Sequence, residues 1–147
     1  MTQTTPPPKK APTKPLPLID DLSRPFWEAA AQHQLQLQQC QECGSYNHPP
    51  RLACDVCQSQ QFAFVPVSGR GHIYSFTVMY QPNVAGFEQD LPYINLLIEL
   101  EEQPRLFLTA FLPGSEQQNI QIGDPVEVYF QPVNEEIILP QFRVVRR

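Results

Sequence analysis

Alternation of apolar and polar side chains dominates the C-terminal half of the chain. In YINLLIEL, residues 93–100, Ile94, Leu96, Ile98 and Leu100 fall on one face and Asn95, Leu97 and Glu99 on the other, the period of two expected of a strand with one buried side. In GHIYSFTVMY, from Gly71 to Tyr80, the same period groups Tyr74, Phe76, Val78 and Tyr80. RLFLTAFL from Arg105, VEVYF from Val126 and IILPQFRVV from Ile137 supply three further candidate strands. Turn chemistry separates them at Glu102-Gln103-Pro104, Pro113-Gly114, Gly123-Asp124-Pro125 and Asn134-Glu135. Five short strands with no long helix between them predict a small antiparallel barrel, whose closure removes exposed sheet edges. Among five-stranded barrels the OB-fold is the expected form.

Upstream the period changes. DDLSRPFWEAAAQHQ, from Asp20, places acidic and capping residues before Pro25 and then an alanine-rich run, the signature of a helix start. Phe26, Trp27, Ala30 and Ala31 are its expected apolar side. A helix of about three turns is marginal alone and must pack on something, so Phe26 and Trp27 are either satellite core residues or anchors of a protein interface. LQLQQC, ending at Cys40, alternates again and predicts a strand. Met1–Ile19 has no periodicity and holds six prolines and all three lysines, which predicts a disordered, solvated tail rather than a packed element. The chain therefore divides into a tail (1–19), a helical arm (20–38), a cysteine-bearing segment (39–66) and the barrel (67–147).

Composition adds compartment and chemistry. The 147 residues suit one modest domain or two very small ones. No apolar run approaches a bilayer span and no apolar N-terminal segment resembles a secretory signal. A cytoplasmic location is expected, where thiols stay reduced and disulfides are rare. All four cysteines lie in CQECGSYNHPPRLACDVC, Cys40–Cys57, as two Cys-x-x-Cys pairs. That spacing fits a four-thiolate site in which each pair grips one edge of a tetrahedron. Gly44, directly after Cys43, suits the positive φ of a tight knuckle, whereas Gln58 holds the equivalent place after Cys57. Cys40, Cys43, Cys54 and Cys57 are thus the expected ligands of one structural zinc ion per chain, with iron as the minority alternative.

A zinc ribbon joined to an OB-like barrel raises nucleic-acid binding as the alternative function. Charge opposes it. The chain carries −5 overall, and without the tail lysines seven arginines face fifteen acidic residues, a balance of −8. Binding to phosphate backbones needs clustered Lys and Arg, and FRVVRR at the C-terminus is the only cluster.

Taken in order, PFWEAAAQHQLQLQQCQECG, HPPRLACDVCQS, VSGRGHIYSFTV, LPYINLLIEL and IGDPVEVYF resemble the zinc-ribbon OB-fold acyl-CoA-associated family, catalogued as domain of unknown function thirty-five. The resemblance covers about Asp20 to Val145. It implies an N-terminal helical arm, a rubredoxin-like zinc ribbon and a C-terminal OB-fold. It further implies a partner subunit of a thiolase, 3-hydroxy-3-methylglutaryl-CoA synthase, acyl-CoA hydratase or steroid side-chain aldolase, scaffolding a complex or shaping a shared acyl-CoA site. The family's metal ligands fall on Cys40, Cys43, Cys54 and Cys57; glycine is missing after Cys57.

Chemistry of the chain's own is sparse. His33, His48 and His72 are far apart in sequence, Ser68 has no nucleophile-elbow motif, and Glu101-Glu102 and Glu135-Glu136 fall in expected turns. Arg51 follows two prolines, and Arg70 stands between Gly69 and Gly71, which would let a ligand approach the backbone. Guanidinium groups bind phosphate bidentately, so Arg51 and Arg70 are the candidate contacts to coenzyme A phosphates. The expectation is a non-catalytic, zinc-stabilised accessory subunit of a hetero-oligomeric acyl-CoA-processing complex, with no membrane span and no nucleic-acid partner.

Overall fold

The computed structural model describes residues 14–81, 84–113 and 119–145. Most of the expected tail, Gly114 of one expected turn and the last two arginines lie outside the described residues. Helix α1 spans Arg24–Ala31, eight residues, shorter than expected. Pro25 preorganises its first turn. Ahead of it, Asp20 Oδ1 accepts from the Ser23 amide at 2.7 Å while the Asp20 amide donates to Ser23 Oγ at 3.2 Å. The helix ends where His33 enters the left-handed region, φ 60°. Its buried side is Phe26, Ala29 and Ala30. Ala29, three residues from Phe26, takes the place expected for Ala31, which is exposed.

Three short strands form the ribbon: β1 (Gln36–Cys40), β2 (Tyr46–Asn47) and β3 (Phe62–Pro66), antiparallel in the order β2-β1-β3. β1 pairs with β3 along its whole length, from Gln36 opposite Pro66 to Cys40 opposite Phe62. The five strands expected downstream are all present: β4 (Arg70–Met79), β5 (Tyr93–Leu100), β6 (Phe107–Leu112), β7 (Pro125–Pro132) and β8 (Ile138–Val144). They make one antiparallel sheet in the order β6-β5-β4-β7-β8. Its outer strands meet where the Phe111 amide donates to Gln141 Oε1 at 3.0 Å, curling the sheet toward a barrel.

Ile94, Leu96, Ile98 and Leu100 line the core as their alternation predicts, none more than 2% exposed. β4 departs from the simple pattern. Its register against β5 shifts between Ile73 and Ser75, and such a bulge moves every later side chain to the opposite face. Ile73 is fully buried, Phe76 and Val78 pack on the same core, and Tyr74 turns outward against Phe107, ring centroids 4.7 Å apart. The grouping of Tyr74 with Phe76 is therefore overturned by one inserted residue.

Ribbon, helix and barrel share a single apolar core. Phe26 from α1 and Leu35 and Leu37 around β1 join Ile98, Leu108 and Phe142 of the barrel. Reciprocal bonds reinforce the junction, with the Tyr46 amide donating to Gln103 Oε1 at 2.9 Å and Gln103 Nε2 to the Tyr46 carbonyl at 3.3 Å. Among the described residues no helix is long and apolar enough to cross a membrane.

Candidate functional site

β1 delivers Cys40 at its end, and the chain then makes two turns of the same design. In the first, the Gly44 amide returns to the Cys40 carbonyl at 3.0 Å and the Cys40 amide donates to the Ser45 carbonyl at 2.9 Å. In the second, the Gln58 amide returns to Cys54 at 2.9 Å and the Cys54 amide to Ser59 at 2.8 Å. Gly44 has φ 79° and Gln58 φ 64°. The missing glycine therefore leaves the second knuckle's geometry intact, and glutamine adopts the left-handed conformation that the turn imposes.

These knuckles bring the four Sγ atoms within 4.8 Å of one another. Cys40–Cys57 and Cys43–Cys54 are 3.5 and 3.6 Å apart, far beyond the ~2.05 Å of a disulfide. A tetrahedral thiolate site with metal–sulfur bonds of about 2.3 Å has edges of about 3.8 Å. The sulfur cage fits a tetrahedral ion of that size. Cys40 and Cys54 are buried and Cys43 and Cys57 exposed, so the cage sits at the surface of the ribbon with one edge inward.

Its electrostatics ask for a cation. The amides of Cys57 and Val56 lower the Cys54 thiol to about 6, and the Cys43 amide, first among several donors, lowers Cys40. Cys57 moves the other way: although the Ser59 amide favours its thiolate, Cys40, burial, Cys43 and Cys54 push it up to about 12. The protein backbone thus favours thiolates that cannot all ionise together without positive charge between them.

Two buried amides that the sequence pattern did not disclose support this cage. Asn47, 3% exposed on β2, directs Nδ2 at Cys54 Sγ, 3.7 Å away, and accepts from the Asp55 amide at 3.2 Å through Oδ1. Gln38, 2% exposed, donates to the Arg51 carbonyl and accepts from the Arg51 amide, both at 2.9 Å. Each clips the loop between the knuckles to the ribbon strands.

Beside the ribbon lies a cleft of about 690 Å³, walled by Ser23, Phe26 and Trp27 of the arm, His48–Pro50 of the ribbon loop, and residues of β5, β6 and β8. Phe26 is only 8% exposed and belongs to the core; Trp27 meets its ring edge-on at 5.0 Å and is partly buried. His48 packs 5.3 Å from Phe26, and its Nδ1 is buried without a hydrogen-bond partner among the described residues. Burial lowers its pKa to about 4, leaving the imidazole neutral at pH 7.

The remaining candidates are dispersed. His33 stacks on Phe130 and His72 Nε2 lies 3.2 Å from Glu99. Ser68 Oγ accepts from the Arg70 amide and has no histidine partner. Arg51 pairs with Asp55 and Arg70 with Glu101, each at 2.9 Å and each on the surface. Glu101 is thus an ion-pair partner, and Glu102 accepts from the Ser68 amide at 2.7 Å, so neither is a free loop charge. The glycines flanking Arg70 do not open its backbone to a ligand. A Cβ on Gly71 would collide with the Glu99 carbonyl, and one on Gly69 with the Val128 side chain. Their bareness serves the packing of β4 against β5 and β7.

Two family models match in tandem: the ChsH2 rubredoxin-like zinc ribbon domain over residues 27–63 and the ChsH2 C-terminal OB-fold domain over residues 64–131. The chain is 36% identical over 130 residues to a probable enoyl-CoA hydratase alpha subunit of Thermomonospora curvata, covering 88% of this chain and 40% of that one. It thus spans well under half the length of that relative. A DUF35 domain-containing scaffold protein of Methanothermobacter thermautotrophicus is 34% identical over 98 residues, 66% of this chain and 71% of its own. Among solved structures, the Ltp2-ChsH2(DUF35) aldolase matches with a TM-score of 0.76 and 34% identity, over 88% of this chain and 98% of that one.

Proposed function

Because the chain belongs to the DUF35 family, with a ChsH2-type zinc ribbon and OB-fold in succession, we propose that it is a non-catalytic accessory subunit that scaffolds an acyl-CoA-processing enzyme. The observation that carries this reading is its alignment over 98% of a DUF35 chain from an aldolase structure. The partner is an enzyme of the hydratase, aldolase, thiolase or 3-hydroxy-3-methylglutaryl-CoA synthase type. The metal is zinc, one ion per chain, held by Cys40, Cys43, Cys54 and Cys57. Four thiolates close a tetrahedral site and leave no position for substrate, so its role is structural. The histidines and Ser68, each engaged away from any nucleophile–base arrangement, support assigning chemistry to the partner.

Trp27 is the proposed interface anchor, with Phe26 fixing it from beneath. Arg51 and Arg70 remain the proposed contacts to coenzyme A phosphates; a phosphate there would replace Asp55 or Glu101 as the guanidinium's partner. The test is purification of the native complex with identification of what accompanies the chain. An acyl-CoA enzyme is expected. Trp27→Ala should weaken that association about thirtyfold while the free chain stays folded. Recovery of the chain with single-stranded nucleic acid bound at submicromolar affinity, and without such an enzyme, would overturn the reading. Elemental analysis should find zinc at one ion per chain, with iron as the competing result.

A further inference from the structure

The loop between β4 and β5 brings Phe87 and the short 3-10 turn Glu88–Asp90 against the outside of β5 and β6. Three aromatic rings converge there. Phe87, Tyr93 and Phe111 lie with pairwise centroid separations of 5.1 to 5.2 Å, and Tyr93, 4% exposed, backs the other two. Into this group comes Lys14. Its Nζ lies 5.0 Å from the Phe87 centroid, 4.9 Å from that of Phe111, and 2.8 Å from Asp90 Oδ2. An ammonium between aromatic faces and beside a carboxylate is the arrangement by which proteins hold alkylammonium groups.

Lys14 fastens one end of a segment whose two ends reach residues that line the cleft. Phe111 also lines the cleft, and so does Ser23. The stretch from Lys14 to Ser23 therefore starts and ends at the cleft's rim. Between them Leu16, Leu18 and Ile19 stay exposed, at 46%, 93% and 38%. Residues 15–19 make no hydrogen bond to the other described residues. Pro15 and Pro17 stiffen the segment, which lowers the entropy lost on fastening it. Lys14 is then the polar fastening of the stretch, and the helix-entry bonds of Asp20 and Ser23 are its other end.

We propose that Phe87, Tyr93, Phe111 and Asp90 form an alkylammonium-binding cage whose resident ligand is Lys14 of the same chain, making residues 14–19 a charge-latched strap along the rim of the cleft. The latch holds while Lys14 carries its charge. It opens when that charge is removed, and the rim beside Trp27 is freed. The inference rests on this chain alone and does not depend on the identity of a partner enzyme.

The test is solution NMR on the full chain with selectively labelled lysine, comparing wild type with Lys14→Arg, Lys14→Gln and Asp90→Asn. In the wild type the Lys14 ε-methylene protons should be shifted upfield of the free-lysine position by the two rings. Backbone order parameters at Leu16 and Leu18 should stay above about 0.6 in wild type and Lys14→Arg, and fall below it in Lys14→Gln and Asp90→Asn. Acrylamide quenching of Trp27, the only tryptophan in the chain, should increase in Lys14→Gln. Unchanged methyl shifts of the core residues Ile73 and Ile98 in the Asp90→Asn protein would show that the barrel persists while the latch fails. A Lys14 methylene signal at the free-lysine position in the wild type would overturn the cage. Order parameters or Trp27 quenching unaffected by both charge-altering variants would overturn the latch.

Discussion

Asn47 shows how far the metal centre extends beyond its sulfurs. Its amide stands between β2 and the second knuckle, donating toward Cys54 and accepting from Asp55. Outer-sphere partners of this kind orient a ligand and tune its basicity. Asn47→Ala should lower metal affinity about 10- to 100-fold, measured by competition with a chromophoric chelator. His48 offers a second residue-scale test. The unfolded imidazole titrates near 6.5 and the buried one at about 4, so the unfolded chain binds the extra proton between those values. The His48 contribution is complete above pH 6.5 and is lost as the pH falls toward 4. It amounts to about 3 kcal/mol. Denaturant unfolding of wild type and His48→Phe across that window should show the shallower slope in the variant. The cysteines were legible because a knuckle is local and its spacing lies in the sequence. Asn47, Gln38 and His48 were not, because only folding decides which polar side chains are buried.

At the scale of elements, β4 is where periodicity both works and fails. All five barrel strands are readable as alternation, yet the bulge after Ile73 reverses the faces inside one of them. A bulge inserts a residue without a compositional mark, and Tyr74 is as apolar as the residues it was grouped with. Helix α1 is shorter than its alanine-rich run suggests because His33 leaves helical geometry. Gly69 and Gly71 were visible as a pair, but their cause was not; it lies in Val128 and Glu99, remote in sequence. Gly71→Ala should force β4 from β5 at the Glu99 carbonyl and destabilise the chain by about 1–3 kcal/mol, measured as a lower urea midpoint. Thr77→Ala, at an exposed position of the same strand, should cost less than about 1 kcal/mol.

On the scale of the whole molecule, helix, ribbon and barrel contribute to one apolar core. Leu35 and Leu37 touch the same apolar cluster as Ile98 and Phe142, so ribbon and barrel should melt as one unit. Chelation of the metal should lower the midpoint of a single calorimetric transition rather than expose a separate ribbon transition, since the site's binding energy is folding energy. Among the described residues, Lys14, Arg24, Arg51, Arg70 and Arg143 are each paired with a carboxylate. Order and spacing of the motifs were enough to reach this architecture. The continuity of its core was not, because it depends on how Phe26 and the two leucines before the knuckle dock against strands far along the chain.

That continuity ties the lifetime of the chain to the supply of an ion. A ligand that binds only the folded state shifts the folding equilibrium by mass action, adding about 1.4 kcal/mol for each tenfold excess over its dissociation constant. With one core, a shortage of metal is felt by the barrel as well as by the knuckles. Starved chains would enter the unfolded pool that proteases clear, and the amount of this protein would follow metal availability without any dedicated sensor.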